Sequence, residues 1–310
     1  MSCAAHKRLE RLNELSLSHS FTPQIDIDWL QTTTDEEYLA LYDAWSLLAG
    51  TGKDRDLERS GRIAFAKYQQ MNLMLFTGLL ERHGIASLSR LYDLDSSQPF
   101  AEYVGNFIKE EVYHYTMFTR AVAQIRLSMP ERLQPPEWRI DTLMRGMFRF
   151  VVWLPGRRLR SHVTFSLFRF AERVTMIADH TARHHIERAE SFVRQIWQYH
   201  ALDEARHLAF DDWVLEQSRL PRPLAWLPAM LIAPMCLLLS LVLNANEIEA
   251  ARRLGVTVRI WHLPQLMLRT EAPFKRRVFG LLRELTSRSA PAPGDNSTGS
   301  AAGRAGDAAP

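Results

Sequence analysis

Two short segments of the chain carry the same arrangement of metal-binding side chains. Glu111 precedes His114 by three positions, and Glu204 precedes His207 by the same number. At that spacing a glutamate and a histidine project from the same side of a helix, so they can hold one ion together. A single pair of this kind usually marks a solvated helix face, but two pairs in one chain favour a metal site.

Both motifs interrupt apolar stripes with helical spacing. The stripe around Glu111 contains Val104, Ile108, Tyr115, Phe118 and Val122, and the stripe around Glu204 contains Val193, Ile196, His200 and Leu208. Burying an isolated carboxylate costs several kcal/mol even after relaxation, and coordination of a cation removes that cost. The stripes therefore predict that both glutamates face the interior and bind metal.

A metal site between four helices also needs one glutamate from each of two further helices. Glu81 lies 30 residues before Glu111, and Glu172 lies 32 residues before Glu204. A turn near Asp95 is almost midway between Glu81 and Glu111, so a helical hairpin there sets the two carboxylates at the same height. We therefore predict Glu81 and Glu172 as further ligands. An exposed position near a helix end is the alternative for Glu81.

The charges of such a cluster balance, because four carboxylates and two divalent cations sum to zero. Oxygen-rich ligands with imidazole and no thiolate suit iron or manganese, and zinc is not excluded by ligand type. Glu110 and Asp203 directly precede two of the ligand glutamates. We predict that they accept the other ring N–H of a ligating histidine and fix its orientation. A solvated carboxylate is the alternative for Glu110.

The elements that must position these residues are helices, because strand signals are scarce. Thr34 followed by three acidic residues marks a helix start, and Gly50 and Gly84 are typical helix ends. The predicted helices cover about 35–49, 56–83, 99–127, 141–152 and 159–217, the last with a turn near 180–188. The predicted fold class is all-α, with a polar N-terminal lead-in over 1–30, one helical domain over 31–286, and a disordered tail over 287–310.

Composition narrows the class of protein without identifying it. The net charge of +3 is too small to imply a nucleic-acid partner. Cys3 and Cys236 are the only cysteines, so neither a disulfide framework nor a thiolate metal site is expected. The N-terminal residues lack the apolar core of an export signal, and the cytoplasm is the expected compartment.

One segment, 223–243, carries no charged residue over 21 positions, a length that can span a bilayer. Pro228 and Pro234 interrupt it. A core or dimer-interface helix in a homodimer is the preferred interpretation, and membrane contact through 223–243 is the alternative.

His200 lies four residues before Glu204, so residues 200, 204 and 207 share one helical face and add a third imidazole. The sequence HALDEARH over 200–207 resembles the diiron N-oxygenase family typified by p-aminobenzoate N-oxygenase. The order of the ligands along the chain resembles that family as well. The phrase IDIDW over 25–29 is similar to the lead-in of that family. The resemblance covers about residues 10–250 and implies a ferritin-like four-helix bundle with additional helices. It implies seven iron ligands: Glu81, Glu111, His114, Glu172, His200, Glu204 and His207.

The resemblance also implies an activity, namely O₂-dependent oxygenation of an amine nitrogen through a peroxo-diiron intermediate, in secondary metabolism. The implied partners are a small-molecule amine, O₂ and an external electron donor. Hydroxylation or desaturation of a C–H bond in a hydrophobic substrate is an alternative. An iron-storing ferroxidase is a second alternative, which the third histidine and the additional helices disfavour. A non-catalytic scaffold is the last.

Overall fold

The computed structural model describes residues 3–18, 21–92, 98–218, 221 and 227–287. Within these ranges the chain forms α-helices and short 3-10 turns, with no strand. In chain order the helices are α1 (Cys3–Ser18), α2 (Pro23–Asp26), α3 (Asp35–Trp45), α4 (Arg59–Tyr92), α5 (Gln98–Leu127), α6 (Glu137–Trp153), α7 (Arg157–His185), α8 (Phe192–Gln217), α9 (Leu227–Arg253), α10 (Leu263–Arg269) and α11 (Pro273–Ser287). The all-α prediction is confirmed.

Two helical hairpins form the centre of the fold. α4 packs along α5 and α7 packs along α8, while α5 also contacts α8 and α4 contacts α7. The shortest of these four helices, α8, has 26 residues and is roughly 40 Å long. Side chains near the middle of each helix are therefore far from either end of the bundle. One hydrophobic core extends through the bundle and includes residues from Leu9 to Leu282.

The start of α3 follows its predicted capping signal. The Thr34 hydroxyl accepts a hydrogen bond from the Glu37 amide at 3.3 Å, and the Glu37 carboxylate accepts one from the Thr34 amide at 2.7 Å. These reciprocal bonds satisfy two amides that the first helical turn leaves without partners. The helix ends at Trp45, before the predicted Gly50, which adopts a left-handed φ of 72° in the following turn.

The prediction that Gly84 ends the long helix is wrong, because α4 continues to Tyr92. A glycine inside a helix costs about 1 kcal/mol relative to alanine. Here the missing side chain admits the ring of Phe168 from α7, since a Cβ at position 84 would lie 3.1 Å from the ring atom Cε1. Glu81 consequently lies inside the helix and not near its end.

The predicted polar lead-in over 1–30 contains α1, which packs against α5 and α8. Leu9 of this helix is fully buried, and the Asn13 amide donates to the Pro99 carbonyl at 3.0 Å. The polar appearance of this segment reflects the outer face of an amphipathic helix. The predicted tail over 287–310 lies, apart from Ser287, outside the described residues, and the domain limits stay a prediction.

α9 contains most of the uncharged segment predicted at 223–243. Its stretch Met230–Arg253 is long and apolar enough to cross a membrane by length and composition, and half of its apolar window is buried within the protein. Pro234 lies inside the helix. Towards the C-terminal end, Glu247 pairs with Lys275 of α11, whose ammonium also donates to Asn244 at 3.0 Å. These buried polar contacts fix α9 to the rest of the fold.

Candidate metal centre

The predicted ligands lie near the middle of the four central helices. Glu81 comes from α4, Glu111 and His114 from α5, Glu172 from α7, and the remaining three from α8. All seven residues are buried, and none is more than 7% exposed: Glu81, Glu111, His114, Glu172, His200, Glu204 and His207. So many ionisable groups in one interior require either protons or a cation to balance their charge.

Six of the seven side chains form two groups that share members. The first group is Glu81, His114, His200 and Glu204, and the second is Glu111, His114, Glu204 and His207. Within each group the candidate ligand atoms lie within 4.8 Å of one another.

Glu204 joins the two groups through its two carboxylate oxygens. Oε1 lies 2.8 Å from Nε2 of His200, and Oε2 lies 3.6 Å from Nδ1 of His207. The same two ring nitrogens each contact a second glutamate: Glu81 Oε1 lies 2.8 Å from His200 Nε2, and Glu111 Oε1 lies 3.1 Å from His207 Nδ1. A carboxylate with one oxygen in each group is placed to bridge two ions held side by side.

Four buried atoms that face the shared centre have no hydrogen-bond partner among the described residues. They are Oε2 of Glu81, Nδ1 of His114, Oε2 of Glu204 and Nδ1 of His207. Orphaned buried polar atoms are rare in folded proteins, and an ion is one of the recognised explanations. The donor set of carboxylate oxygen and imidazole nitrogen fits iron or manganese. The buried group is therefore able to hold a dinuclear metal site.

Glu172 is the one predicted ligand that stands apart from both groups. It lines the same cavity as Glu81, Glu111 and Glu204. Its carboxyl, however, lies against that of Asp211, which is fully buried on α8. Burial and the neighbouring charge of Asp211 raise the pKa of Glu172 well above its usual value.

Each of two histidines is held from outside the centre by an acid on the opposite helix. His114 Nε2 on α5 lies 3.1 Å from Asp203 Oδ2 on α8, and His207 Nε2 on α8 lies 2.9 Å from Glu110 Oε2 on α5. Contact with a carboxylate fixes the tautomer of an imidazole and leaves the other nitrogen free for metal. In both rings the nitrogen that remains is the Nδ1 that faces the shared centre.

Arg206 connects these two acids. Its guanidinium donates to Glu110 Oε1 at 2.8 Å and also to Asp203, and its side chain is only 8% exposed. Burial opposes the charged form of Arg206, but the two carboxylates outweigh it and raise its pKa. The pKa of Asp203 is lowered, because contacts with His114 and Arg206 exceed the effect of burial.

The sequence prediction missed both Arg206 and Asp211. Asp211 follows His207 by four positions and so continues the helical face of residues 200, 204 and 207, a signal that could have identified it. For Arg206 the available signal was the charge balance. Two divalent ions neutralise only the four ligand carboxylates, so burying Glu110 and Asp203 as well requires a further positive charge.

In the metal-free protein the acids of the centre do not share one protonation state. Burial and the charge of Glu111 raise the pKa of Glu81 well above its usual value. The pKa of Glu204 is instead lowered, because contacts with His200 and His207 outweigh burial. Burial opposes protonation of His207, yet its contacts with Glu110, Glu111 and Glu204 raise its pKa. In the absence of metal, the raised pKa values of Glu81 and His207 favour bound protons, which carry positive charge that metal ions would otherwise supply.

Aromatic rings cover the histidines and keep the centre apolar around its polar atoms. Phe107 stacks on His207 with ring centroids 3.8 Å apart, and Phe118 meets His200 edge-on at 4.9 Å. In so apolar a shell the metal ligands are screened little by solvent, which strengthens their electrostatic attraction to a cation.

A four-helix bundle that holds two ions through glutamates and Glu-x-x-His pairs defines the ferritin-like dinuclear carboxylate proteins. Within that class, residues 3–278 match the family described as P-aminobenzoate N-oxygenase AurF. The chain belongs to this family, and it is a metal-dependent oxygenase. No curated protein sequence matches the chain.

Among solved structures, the chain is similar to a point mutant of an R2-like ligand-binding oxidase with an aerobically reconstituted Mn/Fe cofactor. The TM-score is 0.49 and the sequence identity 13%, and the alignment covers 92% of this chain and 94% of that chain. The assignment to the family comes from the sequence match.

Proposed function

We propose that the protein is a diiron oxygenase that inserts one atom of O₂ into an N–H bond of a small-molecule amine. Amine, O₂, two electrons and two protons then give a hydroxylamine and water, and an external reductase supplies the electrons. The observation that carries the proposal is His200, whose Nε2 lies 2.8 Å from both Glu81 and Glu204. This third imidazole is additional to the two histidines of the Glu-x-x-His pairs. It lies in the segment 200–207 that resembles the N-oxygenase family, and the family match supports the same activity.

Bound iron would supply the binding and reduction of O₂. The residues of the chain supply geometry: Glu204 would offer ligand atoms to both groups, while Asp203 and Glu110 keep the Nδ1 atoms of His114 and His207 turned inward. Because the orienting acids lie on opposite helices, the two histidines are held relative to both α5 and α8. The seven-ligand set, including Glu172, remains part of this proposal.

A small cavity lies beside the centre and is lined by the carboxyl groups of Glu81, Glu111, Glu172 and Glu204. Its apolar wall includes Leu80, Leu88, Phe107 and Phe168. Such a wall favours a flat apolar substrate whose reacting nitrogen faces the metals.

Turnover with isotopically labelled O₂ tests the proposal. Iron-loaded protein, a chemical reductant and a panel of arylamines are expected to give N-oxygenated products that carry the label. Glu204→Ala is expected to give none, whereas Asp212→Asn, a change at a partly exposed acid on the same helix, should retain activity. Label found only from water, or equal turnover by Glu204→Ala, would refute the proposal.

A second candidate is oxidation of a C–H bond. The cavity favours it in one respect, because apart from the proposed ligands only Thr77 and Thr175 offer polar side chains there. Product analysis separates the two: an oxygen or a new double bond on carbon, with nitrogen unchanged, would replace N-oxygenation by hydroxylation or desaturation.

A further inference from the structure

The first half of α9 exposes a continuous apolar stripe. Met230 is 57% exposed, Leu237 and Leu238 are each 45% exposed, and Leu241 is 38% exposed. Their spacing of seven, one and three residues places them on one face of the helix. Exposed apolar surfaces of this kind mark contact with a membrane or with another protein.

A second set of exposed apolar residues comes from the end of α6. Trp153 is 86% exposed, Phe150 is 46% exposed and Val152 is 38% exposed. α6 contacts α9, and both helices pack on α4 and α7. The two sets therefore come from neighbouring helices on one side of the bundle.

An ion pair joins the start of α6 to the end of α9, as expected for antiparallel packing of the two helices. Arg139, near the start of α6, donates to Glu249, near the end of α9, at 2.7 Å. Trp153 lies 14 residues after Arg139, and 14 residues before Glu249 is Met235. At equal rise per residue, antiparallel helices bring Trp153 level with the exposed half of α9.

The two described stretches that carry these apolar residues contain no acidic side chain. Residues 142–171 contain six arginines and no aspartate or glutamate, and residues 227–246 contain no charged residue. Arg149, Arg157 and Arg158 are exposed. Arg157 and Arg158 lie four and five residues after Trp153, following a turn at Gly156 with a left-handed φ of 75°. An apolar stripe bordered by arginine complements an anionic lipid surface.

We propose that this side of the protein, called here the lipid face, lies on the surface of an anionic bilayer. The lipid face consists of Met230, Leu237, Leu238, Leu241, Phe150 and Trp153, with Arg149, Arg157 and Arg158 at its border. Tryptophan suits the level of the lipid headgroups, and arginine attracts their charge. The cytoplasmic location predicted from the sequence stays a prediction.

Contact from one side fits the structure better than a membrane-spanning helix. The opposite side of α9 is buried, with Cys236 fully enclosed and Leu239 4% exposed. Gln69 of α4 and Lys275 of α11 both bond to Glu247 of this helix. Removing α9 from the bundle would leave those polar groups without partners.

A second copy of the chain fits the lipid face less well. A two-fold interface places the same surface on both subunits, so each arginine border would face the other. Residues 142–171 and 227–246, which build the lipid face, supply no carboxylate to neutralise repulsion between the two copies of Arg149 and Arg158. Lipid phosphates offer negative charge to these two arginines.

Vesicle sedimentation of the full chain tests the proposal, with phosphatidylcholine vesicles compared against vesicles that also contain phosphatidylglycerol. The protein is expected to sediment with the anionic vesicles only, and to be released by salt. Arg157→Gln/Arg158→Gln should need about thirtyfold more anionic lipid for half-binding. Leu237→Ser/Leu238→Ser should also lose binding.

The control variants are Leu268→Ser and Arg55→Gln, which make the same kinds of change at exposed positions outside the lipid face. Both are expected to bind anionic vesicles as the unchanged protein does. Circular dichroism and metal content identify any variant that has not folded. Absence of binding to anionic vesicles, or equal binding by folded lipid-face variants and controls, would overturn the proposal. So would a solution dimer that Leu237→Ser/Leu238→Ser dissociates without any vesicle binding, because the face would then belong to a second copy.

Discussion

Asp203 contacts the ring of His114, on the neighbouring helix, and not a histidine of its own motif. The distance between Asp203 Oδ2 and His114 Nε2 is 3.1 Å, and both side chains are buried. Glu110 makes the corresponding contact with His207 in the opposite direction. The two motifs therefore depend on each other, since the acid of each orients the histidine of the other.

Replacing Asp203 with asparagine is expected to weaken metal binding. The amide keeps the shape of the side chain but loses the negative charge that holds His114. Changes at residues that orient a metal ligand typically lower metal affinity about 10- to 100-fold, and we expect a loss of about that size here. Competition between the protein and a chelator for Fe(II) measures the effect. Asp212→Asn, at a partly exposed acid that pairs with Arg169, is the control. Equal affinities for the two variants would contradict the role of Asp203.

Replacing Arg206 with methionine is expected to lower the free energy of unfolding by about 3 kcal/mol. The change leaves Glu110 and Asp203 buried without their shared cation. Denaturant titration measures the loss. Arg169→Met, which removes one partner of the partly exposed Asp212 pair, should cost less than about 1 kcal/mol. Similar losses at the two arginines would show that Arg206 does not neutralise the two buried acids.

The metal-free protein is expected to become less stable as the pH rises. Glu81 and Glu172 have raised pKa values in the fold, so the folded state binds more protons than the unfolded state above pH 4.5, the ordinary pKa of glutamate. The raised pKa of His207 acts in the same direction, because its contribution is complete below 6.5 and is lost as the pH rises through the folded value.

Thermal unfolding of the chelator-treated protein should therefore give a higher midpoint at about pH 5.5 than at about pH 8. Bound metal should reverse the order, because metal competes with protons for the same atoms. Glu81→Gln should reduce the pH dependence of the metal-free protein. The lowered pKa values of His162, His180 and His185 act in the opposite direction, so the comparison with Glu81→Gln is the decisive one. The same pH dependence in Glu81→Gln and the unchanged protein would contradict the raised pKa of Glu81.

The ion pair between Glu247 and Lys275 offers a test of buried charge away from the metal centre. Lys275→Met should lower the free energy of unfolding by about 3 kcal/mol, because Glu247 then stays buried without a cation. The double change Lys275→Met/Glu247→Leu should recover most of that loss. Arg173→Met, at the exposed contact with Glu284, should change stability by less than about 1 kcal/mol. A double variant as unstable as Lys275→Met would refute this account.

The sequence predicted features that depend on one helix at a time. Glu111, His114, Glu204 and His207 were identifiable because local spacing alone places them on apolar faces. Arg206 was not identifiable, because its role is to neutralise Glu110, which lies 96 residues earlier in the chain and approaches Arg206 only when α5 packs against α8. The contact between Phe168 and Gly84 also could not be predicted, because it depends on two helices. The sequence of α4 gives no sign that a ring from α7 fills the space left by the missing side chain.

The contact between Gly84 and Phe168 has a consequence for the choice of substrate. Phe168 is part of the cavity wall, and a Cβ at position 84 would lie 3.1 Å from its ring. A side chain at position 84 would require the Phe168 ring to shift by a few tenths of an ångström. Because this ring lines the cavity, a substitution at 84 is expected to alter the shape of the space beside the metal centre without changing any proposed ligand.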